Sequence, residues 1–162
     1  MCGVDVEQRG SPLAKIEAHE SRTLNLKASK QEVVAFFNDP HAINAKMADV
    51  EVFEVGADGR AHWTIKEIGA RGVSYQARYS VVYVTGEDWI RWDTDSGNME
   101  IHGRADFRSL GERLTEVRYD ERVAPDLPIP RLMAKLFKPI VAREVRKGIH
   151  TFLDRVSQEF GS

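Results

Sequence analysis

Very little in this chain could staple it, anchor it or draw it to a charged surface. There is one cysteine, Cys2, in 162 residues, so an intramolecular disulfide is excluded. No stretch approaches the roughly 18 consecutive apolar residues that a membrane span needs. The 23 Lys and Arg are nearly matched by 25 Asp and Glu, leaving a net charge of −2. No global field therefore attracts nucleic acid or an anionic membrane. His41 and His62 have no Cys, His or Asp partner at metal-ligand spacing, and His102 and His150 read as exposed, so no metal site is expected. A Ser-His-Asp order, a phosphate loop and a dinucleotide signature are also missing, and no cofactor is expected. The opening residues, MCGVDVEQRGSP, lack the apolar run of a signal peptide. That points to a cytoplasmic protein and makes Cys2 a free thiol, a poor candidate nucleophile.

What is present is enough for one domain. Hydrophobic residues make up 42% of the chain, within the globular range. Residues 1–15 read as a mobile tail broken by Gly10-Ser11-Pro12, and residues 16–160 as a single domain. The stretch 16–28 reads as a strand. Ser29 with Glu32 three residues on forms a capping box, which predicts a helix carrying Val33, Val34, Phe36 and Phe37. Asn38-Asp39-Pro40 ends it, and Pro40 opens a second short helix through Met47.

Beyond Met47 the apolar period changes to two. Val50 and Val52, then Trp63, Ile65 and Glu67, then a long run from Val73 to Tyr83 alternate with polar residues. Ile90 and Trp92, Met99 to Phe107, and Val117 to Val123 follow the same rule. Short turns separate these runs, so neighbours are antiparallel. The opposite face carries Arg91/Asp93, Arg104/Asp106/Arg108 and Glu116/Arg118/Asp120/Arg122. Interleaved acids suit cross-strand ion pairs on a wet face better than a nucleic-acid stripe. Residues 131–160 then form a long amphipathic helix, with Leu132, Leu136, Ile140, Val145, Ile149, Phe152 and Val156 on one stripe. Pro139 predicts a break near Lys138, which would make 130–138 a separable lid. Gly148 would let a strand or ligand come close.

This order, a strand, two short helices, a six-strand meander and a long terminal helix, resembles the START/Bet v 1-like superfamily. It is most similar to that superfamily's polyketide cyclase/dehydrase and coenzyme Q-binding branch. The segments that carry the resemblance are VVAFFNDPHAI, DWIRWDTDSG, GRADF at 103–107, TEVRYDERVAP and the closing helix. They are fold markers, with no catalytic fingerprint among them. The resemblance implies an α+β helix-grip fold: a seven-stranded antiparallel sheet curled around a long C-terminal helix, with two short helices after the first strand. It also implies an apolar ligand held between sheet and helix.

The meander places the 69–72 turn, the 95–98 turn and the 124–130 connection at one rim. Inward parity near it falls on Glu67, Val73, Tyr75, Trp92, Thr94, Met99, Ile101, Tyr119, Glu121, Met133 and Phe137. Trp63, Tyr79, Phe107 and Val141 complete the expected wall. Aromatic and methionine side chains suit a flat or flexible apolar ligand, and they equally suit ordinary core packing. Glu67 and Glu121 are the exceptions on this face. A carboxylate there is a polar anchor, a general acid/base for an aldol-type cyclisation, or a strand-end side chain bent into water. The segment 124–139 mixes Leu127, Ile129, Leu132, Met133, Leu136 and Phe137 with Arg131, Lys135 and Lys138. It reads as a lid or as a transient membrane contact. Three functions follow: binding or sequestration of a lipid, isoprenoid quinone or polyketide-like molecule without chemistry; an aromatase/cyclase; or a protein-interaction module of the same fold.

Overall fold

Ser29 starts the first helix, as the capping box requires. Its hydroxyl accepts the Glu32 N–H at 3.2 Å, and the Glu32 carboxylate accepts the Ser29 N–H at 2.9 Å. The computed structural model describes residues 13–162; the Cys2 and Gly10-Ser11-Pro12 expectations lie outside them. Helices α1 (Lys30–Phe37) and α2 (Pro40–Lys46) follow in sequence, α2 capped by the Asp39 carboxylate accepting the His41 N–H.

The strands are β1 (Leu13–Lys15), β2 (Ala18–Leu26), β3 (Val50–Val55), β4 (Ala61–Ile65), β5 (Ile68–Ala70), β6 (Val73–Tyr75), β7 (Arg78–Thr85), β8 (Trp89–Gly97), β9 (Met99–Gly111) and β10 (Leu114–Pro130). The antiparallel order β3-β4-β7-β8-β9-β10 is the expected meander. On the far edge of β10, β2 pairs with Thr115 to Val123 and β1 with Asp126 to Pro130. Eight strands thus fill seven ranks of one sheet, and α3 (Ala134–Phe160) packs across it.

Four expectations need correction. The first strand begins at Leu13, inside the stretch read as a tail, because β10 offers it an edge. The connection 124–130 is strand; a register shift falls between Leu13 and Ala14, where Pro128 has no N–H to give. The long run 73–83 is broken after Tyr75, and β6 turns away to pair with β5. The Asn98 side chain makes the break possible: it accepts the Arg78 N–H and donates to the Gln76 carbonyl, each at 2.8 Å. Last, α3 runs unbroken through Pro139. The lost bond leaves only the Lys135 carbonyl, and Lys135, Lys138 and Pro139 are all exposed, where water replaces it. Pro139→Ala is expected to raise stability by about 1 kcal/mol, the restored helix bond outweighing the gain in unfolded-chain entropy; urea denaturation at pH 7 checks this.

On the outer face, Arg91–Asp93 (2.9 Å) and Arg104–Asp106 (2.8 Å) pair along their own strands, and Arg108–Glu116 (3.0 Å) pairs across strands. Such exposed pairs contribute under about 1 kcal/mol each.

Two apolar clusters hold the fold. One joins the sheet to α1 and the C-terminal two-thirds of α3, with Leu26, Val33, Ile90, Val117, Leu153 and Val156 fully buried. Phe36, Phe37, Phe107 and Phe152 form its aromatic centre. The second gathers Ala14, Ile16, Leu127, Ile129, Phe137 and Val141 around the start of α3. Tyr75 and Val145 touch both clusters.

Candidate functional site

The space between the clusters is organised by one glycine. Glu121 lies on β10 with the same inward parity as Val117, Tyr119 and Val123. Its ladder partner on β9 is Gly103, and the partner of Gly103 on β8 is Trp92. A Cβ on Gly103 would stand 1.9 Å from Trp92 Cε2. Without it, the indole lies across β9 and its Nε1 donates to Glu121 Oε2 at 2.6 Å. The Tyr119 hydroxyl donates to the same oxygen at 2.9 Å. The Trp92 and Tyr119 rings lie 5.3 Å apart, and Tyr119 packs on Phe152 of α3 at 6.1 Å. Three neighbouring strands therefore build one polar knot on an otherwise apolar face.

Burial pushes the Glu121 carboxyl up to about 7, against the pull of its two hydrogen bonds. Among the described residues no cation pairs with it; its polar partners are the indole and the phenol. Burial first, and the nearby Glu121 charge second, push the Tyr79, Tyr83 and Tyr119 phenols above their ordinary value. Trp92 and Tyr119 thus touch the carboxyl, and Tyr79 and Tyr83 lie near enough to feel its charge.

This interior is not sealed. Glu121, Tyr83, Thr94, Met99 and Val145 are only half-buried although each faces inward or packs against the core. Trp92 and Tyr79 keep 8% of their surface and Ile149 7%, whereas Leu26, Val117 and Leu153 keep none. Small residual exposures of 6–7% recur at Ile101, Val123, Phe152 and Val141, so the space between β7–β10 and the middle of α3 is incompletely covered, with no open chamber among the described residues. Two surface clefts are present: a polar one lined by Lys46, Arg155 and Glu159, and one of mixed polarity along β2, β9 and β10, lined by Thr23, Asp106, Arg118 and Tyr119.

Of the residues expected in the site, Trp92, Tyr119 and Glu121 touch one another. Trp63 stacks on Tyr79 at 5.8 Å and donates to Asn44 at 3.1 Å, carrying the wall to α2. Tyr75 stands at the rim and donates to the Asn98 carbonyl at 2.7 Å; Asp126 N–H reaches the same oxygen at 2.9 Å. Asn98 thus ties β6 and the 95–98 turn to Asp126 of β10. Met99 and Ile101 pack against the main core, and Phe137 and Val141 belong to the second cluster. Phe107 instead packs under α1, 5.4 Å from Phe37, remote from the rim. Glu67 is exposed, because β4 ends at Ile65 and parity no longer governs its direction. Met133 is also exposed, on a short 3-10 turn (Arg131–Met133) before α3. Residues 130–138 are not a separable lid, since α3 is continuous through Pro139; the β5–β6 hairpin packs Val73 and Tyr75 on the second cluster. Gly148 faces open space, with nothing close to where a Cβ would stand.

Two participants are additions. Tyr83 was legible as the third inward residue of Tyr79, Val81 and Tyr83. The role of Gly103 was not, since it depends on a contact between strands. His41 rests edge-on against Phe53, His62 is exposed, His102 bonds Asp93 and His150 bonds Glu20. Among the described residues no three potential metal ligands converge.

No family model matches the chain, and no curated protein matches it in sequence. Solved structures do. A START superfamily protein from Mycobacterium smegmatis superposes with a TM-score of 0.64 at 14% identity, covering 88% of this chain and 96% of that one. A protein from Thermus thermophilus gives 0.65 at 19%, covering 88% and 94%. Norcoclaurine synthase from Thalictrum flavum, in complex with dopamine and hydroxybenzaldehyde, gives 0.55 at 11%, covering 93% and 91%.

Proposed function

The fold is that of the START/Bet v 1-like superfamily, and we propose that this chain binds a small hydrophobic molecule in the cleft between β7–β10 and α3. The molecule's flat apolar body lies among Tyr79, Tyr83, Trp92 and Tyr119, and its polar end meets Glu121. The observation that carries this reading is the carboxyl itself. A leucine or methionine would serve packing better at that position, because a carboxyl on this face costs stability when ionised even with the Trp92 and Tyr119 donors. A ligand's polar end gives the group a further partner. The fold commonly houses apolar ligands, and the quinone- and polyketide-handling branch that the sequence resembles deals in flat rings. Entry is under the β5–β6 hairpin, which stands off the main sheet.

The test is fluorescence of the neutral apolar probe N-phenyl-1-naphthylamine. Wild-type protein is expected to give a saturable, blue-shifted enhancement. Val145→Trp fills the junction of the clusters and is expected to abolish it while far-UV circular dichroism is unchanged. Absence of saturable binding to wild-type protein defeats the reading.

A second reading has its own support. A carboxyl that titrates near neutrality, bonded to a phenol in an apolar setting, is what acid/base catalysis of a carbonyl condensation needs. Norcoclaurine synthase shows that the fold hosts enzymes. Glu121→Gln separates the two: a carrier keeps probe binding, and an enzyme additionally loses turnover of an aldehyde or polyketone substrate.

A further inference from the structure

We propose that the 3-10 turn and first turn of α3 dock on an anionic lipid surface. Leu132 is 98% exposed, and Met133 and Leu136, one and four residues on, are exposed at 39% and 41%. Their neighbours Leu127, Ile129 and Phe137 are buried, so the apolar half of this segment that packing can use is already used. What remains points outward. A leucine left almost wholly in water gains nothing for the fold, whereas an acyl-chain boundary would take it up.

The charge around it specifies the partner. Arg131, Lys135 and Lys138 lie in the stretch 127–142, which has no Asp or Glu and is bounded by Asp126 and by an Arg143–Glu144 pair at 3.6 Å, although the chain as a whole carries −2. The N-terminal end of α3 adds its partial positive charge. Arg131, Lys135 and Lys138 are all exposed. A second copy of this chain on the same patch would set cations against cations, which argues against a symmetric dimer there. An anionic bilayer satisfies both features: headgroups meet the cations, and Leu132 and Leu136 enter the interface. Each basic side chain near such a surface strengthens binding about fivefold. The patch adjoins the cluster that the β5–β6 hairpin covers, so docking brings the cleft's rim to the membrane. It does not depend on the ligand reading. A protein that binds vesicles without taking up the apolar probe would defeat only that reading.

The experiment is flotation of the full chain with vesicles of phosphatidylcholine and phosphatidylglycerol (about 70:30), and with phosphatidylcholine alone. Binding is expected to the anionic vesicles only. Leu132→Glu, at a site too exposed to disturb folding, is expected to weaken it tenfold or more. Lys135→Glu/Lys138→Glu is expected to weaken it comparably and to flatten its salt dependence. No binding to anionic vesicles at low salt overturns the proposal. So does equal binding by wild type and Leu132→Glu, which would mean charge alone acts without insertion.

Discussion

Gly103→Ala is expected to destabilise the protein by about 3 kcal/mol, the sum of overpacking and a lost bond to a buried carboxyl. The new Cβ would stand 1.9 Å from Trp92 Cε2 and 2.1 Å from its Nε1. A rigid indole cannot give way by a small rotation, and Tyr119 at 5.3 Å blocks one side. Trp92 must leave its site, and Glu121 then loses the donor at 2.6 Å. Urea denaturation measures the cost, and red-shifted tryptophan emission reports the displaced ring. The contact also predicts coupling. Trp92→Leu should cost much less in the Gly103→Ala background than in wild type, because the alanine has already removed the same interaction. Additive costs would show that the ring simply repacks.

Glu121→Gln is expected to stabilise the protein at pH 8 by roughly 2 kcal/mol and to change little at pH 4.5. Folding raises the carboxyl from its ordinary value near 4.5 to about 7. Between those values the folded protein holds a proton that the unfolded chain releases. Stability therefore falls as pH rises through this window, by at most about 1.4 kcal/mol per unit. Below 4.5 both states are protonated and the group costs nothing; above 7 its cost is constant. The full window would amount to roughly 3 kcal/mol, and partial solvent access to Glu121 reduces it to about 2. Glutamine keeps an acceptor for Trp92 and Tyr119 and removes the ionisation. The difference between variant and wild type isolates this group from all others that titrate. A stability difference independent of pH would refute the assignment.

How much of this was legible in the sequence depended on whether the signal was local. Ser29 and Glu32 announce α1 because a capping box is complete within four residues. Glu121 was found by parity because β10 runs unbroken against β2 from Thr115 to Val123. The same rule failed at Glu67, two residues past the end of β4. The break after Tyr75 was invisible because it rests on the Asn98 amide, some twenty residues away, replacing ladder bonds. Pro139 misled because its penalty assumes a helix position shielded from water, whereas this one is exposed. Trp92 reads as lining, but its reach to Glu121 needs Gly103 on the strand between them, and no single-strand pattern carries that.

The central claim is that a carboxyl with no cationic partner among the described residues sits against aromatic rings on the inner face of the sheet. The most direct measurement is a pH titration of the Glu121 side-chain carboxyl carbon by NMR in ligand-free protein, assigned by comparison with Glu121→Gln. The expected midpoint is about 7. A midpoint at the ordinary value for a solvated glutamate, near 4.5, would place the carboxyl in water and contradict the account.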